Sequence, residues 1–189
     1  QFAMSQNLPV LQPINLKDHE FINQLIALEP DLMVVVAFRM LPKNVWSIPY
    51  LGTFNLHASL LPDYRGAAPI NWVIINQEKY SGVTTFFINE EIDTGAILLQ
   101  EKVKIEQKDT AGSLNEKLAE YGSVLICKTI KGIFEKSVSP KKQETNGSEK
   151  SAPKLNKENV FIDWDQPLEI IEAKIRGLSP FPGARFNWI

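Results

Sequence analysis

Asn55 and His57 stand two residues apart in FNLHASLLPDYRGAAP, at the end of an otherwise apolar run. In a β-strand the side chains alternate between faces, so Thr53, Asn55 and His57 share one side and Phe54 and Leu56 the other. The amide offers two donors and an acceptor, and an imidazole exchanges a proton near neutral pH. Acyl transfer to an amine needs both functions: a donor for the oxygen on which charge develops, and a carrier for the proton the amine loses. A third group is wanted to orient the ring. The acidic loop NEEIDTG, Asn89 to Gly95, supplies Glu90, Glu91 and Asp93, and spacing alone leaves all three open.

Taken by itself, N-x-H at a strand end is more often structural than catalytic, and Asp-Thr-Gly is an ordinary turn. Other polar residues read more plainly. Arg39, after a buried strand, is a capping or snorkelling residue. Arg65-Gly66 is a loop feature, His19 is solvated among charges, and Cys127 is a small core residue of a helix. Ser59 beside His57 lies in a Ser-Leu-Leu-Pro turn and makes no convincing hydrolase pair. Two histidines and one cysteine offer no clustered soft-metal site, so no metal is expected. Neither a Walker-type lysine loop nor G-x-G-x-x-G nor G-x-S-x-G occurs.

The elements that must position these groups follow from periodicity. Phe21, Leu25 and Leu28 make a helical stripe over Asp18 to Leu28, capped by Asp18 and stopped by Pro30. DLMVVVAF reads as a strand covered on both faces. Asn44 to Ile48 is a short helical turn, and Gly52 to His57 a second strand. Ala67 to Asn76 is a helix with Pro69 in its first turn, where a missing N–H costs little. Val83 to Ile88 and Ala96 to Ile105 are strands of a hairpin, hence antiparallel. Thr110 caps a long helix whose stripe is Leu114, Leu118, Tyr121, Leu125, Ile130 and Phe134. Pro167 to Leu178 is a last short helix, with Leu168, Ile171 and Ile175 on one face. Both Phe38–Leu41 and Asn55–His57 sit at carboxyl ends of strands, where open α/β sheets bind ligands.

The chain has 189 residues, is 44% hydrophobic, carries a net charge of −2 and holds one cysteine. That size fits one domain with extras or two small ones, and the composition excludes an internal disulfide framework and gives no strong electrostatic footprint for nucleic acid. The segment from Lys136 to Glu158 leans positive, with six Lys against three Glu. Apolar runs are too short to cross a bilayer, and no secretory signal pattern opens the chain. The opening QFAMSQNLPVLQP reads as a helix end and a short strand, as though the chain begins inside a domain.

These motifs together resemble the folate-dependent formyltransferase family, and within it the branch that acts on initiator methionyl-tRNA. The matching pieces are LPVLQP, PDLMVVVAF, LPKNVW, IPYLGTFNLHASLLPDYRGAAPINWVIINQ, SGVTTFFINEEIDTGAILLQ, DTAGSLNEKLAEYG and SAPKLNKENVFIDW. The N-x-H-x-S-L-L-P element with a downstream D-x-G is specific to the family; RGAAPINW and APKL…IDW point to the tRNA branch. The resemblance implies transfer of a formyl group from 10-formyltetrahydrofolate to the α-amino group of methionine on initiator tRNA. It places the catalytic roles on Asn55, His57 and Asp93. It places folate binding on Phe38, Arg39, Met40 and Leu41, on Ser59, Leu60, Leu61 and Pro62, and on Ile88, Asn89, Glu90 and Glu91. Arg39-Met40 departs from the usual pattern of the tRNA branch, and Ala58 stands where the family usually has proline.

The implied fold is α/β, a Rossmann-like open, mostly parallel sheet with helices on both faces, truncated at its N-terminus. The expected organisation is a partial catalytic core over residues 1–136, an exposed connection over 137–159, a closing strand and helix over 160–178, and over 179–189 the start of a linker to an absent C-terminal β-barrel. The expected setting is a cytoplasmic monomer whose partners are initiator methionyl-tRNA and the folate, with no membrane. The alternatives are a related formyltransferase acting on a sugar-nucleotide amine or glycinamide ribonucleotide, and a non-catalytic folate- or nucleotide-binding module.

Overall fold

A computed structural model describes residues 2–187, so Trp188 and Ile189 of the expected linker lie outside the described residues. The chain divides into two compact units, residues 1–53 and 54–189. The first holds α1 (Phe2–Ser5), α2 (His19–Ala27), β1 (Met33–Val36) and α3 (Lys43–Trp46). Asp18 caps α2 through a side-chain bond to the Glu20 N–H, as the sequence predicts. Val34 and Val36 on β1 are exposed, where the unbroken apolar run points to burial on both faces. Successive strand residues alternate sides, and Met33 and Val35 are the half-buried pair.

Next come β2 (Thr53–His57), β3 (Arg65–Gly66), α4 (Pro69–Ile75), β4 (Tyr80–Phe87), β5 (Ile97–Lys104), α5 (Ala111–Phe134), β6 (Ser151–Ala152) and α6 (Leu168–Gly177). β2 pairs with β4, placing Asn55 opposite Phe86 and His57 opposite Thr84. β4 pairs with β5 through the expected hairpin, with an irregularity between Thr85 and Phe86. Both pairings are antiparallel. The parallel character expected of the sheet is therefore not carried by these three strands; in this unit the parallel pair is β3 with β6. For β4 and β5 the reason lies in the connection, since a short hairpin can only reverse the chain; β2 reaches β4 by way of β3 and α4.

α5 begins at a reciprocal capping box, Thr110 with Ser113. It packs on the sheet face that carries Leu56 and Thr85. The Thr85 and Thr129 hydroxyls meet at 2.8 Å. A methyl added at Gly122 would come within 2.6 Å of Leu56 Cδ2. The core gathers Val73 and Ile74 of α4, Val83 and Val103 of the sheet, and Leu114, Leu118 and Leu125 of α5.

The buried face of α5 is Ala111, Leu114, Leu118, Gly122, Leu125, Thr129 and Gly132. Tyr121, Phe134 and Cys127, expected inside, are exposed. The closest contacts with the sheet fall on Gly122 and Thr129, on the same face as the three leucines, and Tyr121, Cys127 and Phe134 lie off that face. α6 likewise meets its neighbour closely through a glycine. Ile171, Ala173 and Gly177 are buried while Leu168 and Ile175 are exposed, and a methyl at Gly177 would lie 2.5 Å from Ile75 Cγ1. Among the described residues, no helix is long and apolar enough to cross a membrane.

Candidate active site

Strand alternation turns Asn55 and His57 away from the α5 face, toward the side shared by Thr84 and Phe86. His57 is 6% exposed. Its Nε2 donates to the Tyr64 carbonyl at 2.8 Å, and its Nδ1 stands 3.7 Å from Asp93 Oδ2. Both ring nitrogens therefore face oxygen acceptors. The first contact is a hydrogen bond; the second, at 3.7 Å, is an ion-pair separation. Asn55 Oδ1 is buried with no hydrogen-bond partner. An unpaired buried acceptor costs on the order of 1–3 kcal/mol, and such groups are explained where a ligand completes them.

The segment after His57 is tied down from the sheet. Thr84 Oγ1 donates to the Ser59 carbonyl at 2.6 Å and accepts from the Leu61 N–H at 3.2 Å. Gln100 Nε2 donates to the Leu61 carbonyl at 2.9 Å, and the Ser59 hydroxyl donates to the Asp63 carbonyl at 2.6 Å. The Ser59 side chain and the backbone polar groups of Leu61, expected at the folate site, are thus engaged within the fold. Leu60 and Pro62 are half-buried beside them.

The turn then presents Tyr64, fully inside, whose hydroxyl donates to Glu78 Oε1 at 2.6 Å. Burial and the Glu78 hydrogen bond push the Tyr64 phenol well above its ordinary range. Burial opposes the charge on Glu78, yet hydrogen bonds from Lys150 and Tyr64 outweigh it and hold that carboxyl below its usual range.

Of the three loop acids left open by spacing, Asp93 is the one brought to His57. Gly66 donates its N–H to Asp93 Oδ2 at 2.9 Å. Asp93 sits at φ +56°, a left-handed conformation that Asp tolerates better than most residues. Gly95 follows because nothing larger fits: an added Cβ would lie 1.6 Å from the Phe87 carbonyl oxygen. Asn89, Glu90 and Glu91 lie toward the loop tip, with Glu90 and Glu91 exposed and Ile88 half-buried. The Asn89 side chain accepts from Thr94 Oγ1 and the Glu91 N–H, at 3.0 and 3.1 Å.

Phe38–Leu41 belong to the first unit. There Arg39 donates to the carbonyls of Pro13 and Ile14 at 3.0–3.2 Å and lies 5.8 Å from the Phe38 ring centroid. Phe38 and Met40 are exposed. Among the described residues no group of three or more His, Cys, Asp or Glu is arranged to hold a metal ion.

Two residues around the site are not singled out by sequence reasoning. Tyr64 supplies a carbonyl to His57, and backbone atoms leave no trace in composition. Gln143 lies in the polar stretch read as an exposed connection, yet is 7% exposed. Its Nε2 donates to the carbonyls of Asp93 and Gly95 at 2.8 Å each.

A formyl transferase family model matches residues 1–130, and a formyl transferase C-terminal domain model matches residues 154–189. The chain belongs to the formyl transferase family. A methionyl-tRNA formyltransferase of Flavobacterium johnsoniae is 54% identical over 97% of this chain, and one of Azobacteroides pseudotrichonymphae is 53% identical over 97% of it. The chain spans 58% of the length of each of these relatives. Among solved structures, a sugar N-formyltransferase from a Shewanella species shares the fold at a TM-score of 0.79 and 23% identity, covering 99% of this chain and 75% of that one. HypX of Aquifex aeolicus, in complex with tetrahydrofolic acid, does so at 0.75 and 21%, covering 88% of this chain and 29% of that one. The α/β formyltransferase fold expected from the sequence is the fold found.

Proposed function

We propose that this protein transfers a formyl group from 10-formyltetrahydrofolate to the α-amino group of methionyl initiator tRNA. One observation carries the reading: at a single strand tip, Asn55 keeps a buried acceptor unpaired beside His57, whose Nδ1 faces Asp93. Kinship supports the acceptor, since the relatives at 53–54% identity are methionyl-tRNA formyltransferases.

The folate supplies the formyl group, activated on nitrogen. Leu60, Pro62, Ile88, Asn89, Glu90 and Glu91 would hold it from the larger unit, framed by Ser59 and Leu61. The resemblance also assigns Phe38, Arg39, Met40 and Leu41 to folate binding. Asn55 is the amide that meets the formyl oxygen, donating through Nδ2 as negative charge grows there; such a donor, aligned beforehand, acts without reorganisation. The orphaned Oδ1 fits a site that is completed by a ligand. As the amine's new bond to the formyl carbon forms and the bond from that carbon to the folate nitrogen breaks, His57 would take the proton the amine loses at Nδ1 and return it to the departing nitrogen, leaving tetrahydrofolate. A proton gained by the ring meets an acceptor on each side, Asp93 Oδ2 at Nδ1 and the Tyr64 carbonyl at Nε2. Asp93 orients the ring and balances its charge.

The test is formylation by the full chain with 10-formyltetrahydrofolate and either charged initiator tRNA, a sugar-nucleotide amine or glycinamide ribonucleotide. Formyl-methionyl-tRNA is the expected product. Transfer only to one of the small amines assigns the protein to another branch of the family. Folate binding without transfer to any acceptor makes it a binding module.

A further inference from the structure

The geometry points to Gln143 as the positioning residue that holds Asp93 against His57, an inference that rests on the formyl-transfer reading for its kinetic consequence. Gln143 is buried between exposed Lys142 and Glu144. Its amide is fully used. The two N–H groups go to the carbonyls of Asp93 and Gly95, both at 2.8 Å. Its Oε1 accepts from Arg65 Nε at 3.1 Å and Nη2 at 2.5 Å. Those two carbonyls flank Thr94, so one side chain grips the turn on both sides of its bend.

The grip acts at the place that most needs one. Asp93 is in the left-handed region, and residues in sparsely populated backbone conformations persist only when their surroundings over-determine them. The other end of the grip returns to the same acid: Arg65 precedes Gly66, whose N–H binds Asp93 Oδ2. Residues 65–66, 93–95 and 143 thereby close a ring of hydrogen bonds around the carboxylate. Gln143 is itself anchored, because Lys141 and Ile97 exchange backbone hydrogen bonds at 2.8 and 2.7 Å. An inert filler of that space would need no such set of partners; a side chain that fixes the Asp93 turn needs all of them.

Gln143→Glu and Gln143→Leu separate positioning from simple space filling, both made in the full chain. Gln143→Glu keeps the oxygen that Arg65 requires but sets a second oxygen against the Asp93 and Gly95 carbonyls. Gln143→Leu fills the space with no polar group; should it fail to fold, Gln143→Glu carries the same test. The expected result is a kcat lower by about 10- to 100-fold with KM changed less than about 3-fold, the scale of a modest misplacement.

In an Asp93→Asn background, Gln143→Glu should lower kcat no further than about 2-fold, because both changes act through one carboxylate. The Gly66 amide should also exchange its hydrogen faster, by about 10-fold or more, as the turn it binds is released. A wild-type kcat in Gln143→Glu, a loss confined to KM, full additivity with Asp93→Asn, or an unchanged Gly66 exchange rate overturns the assignment. If the wild type transfers formyl to none of the acceptors, the function reading falls, and the Gly66 exchange alone decides the role of Gln143 in holding the turn.

Discussion

Gly66 donates its backbone N–H to Asp93 Oδ2 at 2.9 Å, and that same oxygen stands 3.7 Å from His57 Nδ1. The acid that faces the imidazole is thus held by the main chain of β3, and only seven residues of sequence join His57 to the Tyr64 carbonyl on its other nitrogen. The segment from Ala58 to Gly66 therefore positions both partners of one ring.

Asp93→Asn keeps the size of this side chain and removes its charge. The amide oxygen still accepts from Gly66, so the turn should fold. Formyl transfer should fall by about 100-fold or more, since general acid–base groups contribute about 100- to 10,000-fold. Steady-state kinetics beside a thermal melt check this: a melt shared with the wild type and a full kcat would remove Asp93 from the mechanism.

Asn55→Ala is expected to separate stability from activity. The wild-type chain carries a buried oxygen without a partner, and deleting it removes a penalty of about 1–3 kcal/mol, against a small loss of packing. Denaturant unfolding should show stability equal to or above that of the wild type. Activity should drop by about 100- to 1,000-fold, the cost of losing one oxyanion donor. A variant that is both less stable and fully active would show a structural amide only.

Much of this organisation is legible in the chain's residue pattern. Asp18, Thr110 and Pro69 mark helix starts through local backbone chemistry, which sequence carries directly. Asn55 and His57 share a face because strand geometry leaves no alternative. Tyr121 and Cys127 depart from the pattern because apolar side chains at helical spacing suggest a buried stripe, while the close contact of α5 with the sheet is built on Gly122 against Leu56 and Thr129 against Thr85. Gln143 escapes notice for another reason. Its partners lie 48 to 78 residues away, and nothing in the polar run KKQETNGSEK distinguishes the one residue that turns inward. Arg39, read as a capping or snorkelling residue, does tie its loop to backbone carbonyls.

Acid stability should depend on Asp109. Burial opposes its charge, but hydrogen bonds from Lys117 at 2.8 Å, the Glu106 N–H and Ser113 hold its carboxyl below the usual carboxylate range. The folded chain then binds fewer protons than the unfolded chain as this group titrates, so stability rises with pH there. The contribution is complete above the unfolded carboxylate range and is lost as pH falls through the lower, folded value. Urea unfolding across acidic pH should show a flatter acid limb for Asp109→Asn than for the wild type; parallel limbs would mean that Asp109 is not linked to the transition.

Gly95→Ala tests whether the tight seat of the Asp93 turn matters. The new methyl would be placed 1.6 Å from the Phe87 carbonyl oxygen and 3.3 Å from the Phe86 ring. A backbone oxygen at a strand end cannot swing aside as a side-chain tip can, so the turn must lift from β4. Lifting it lengthens the Gln143 bond to the Gly95 carbonyl and draws Asp93 from Gly66. The expected cost is about 2 kcal/mol or more, in the range of overpacked or strained sites, with formyl transfer lost by at least about 10-fold even well below the melting temperature. Both follow from one displacement, so a second change that leaves the turn in place should not reproduce them. Thr94→Val is that control: it removes a hydroxyl directed at Asn89 and the Glu91 carbonyl but touches neither Gln143 nor Gly66, so its effect should fall on the KM for the folate, through those two loop residues, with kcat within about 3-fold of the wild type. Gly95→Ala with native stability and activity would mean that the turn has room the structure does not give it.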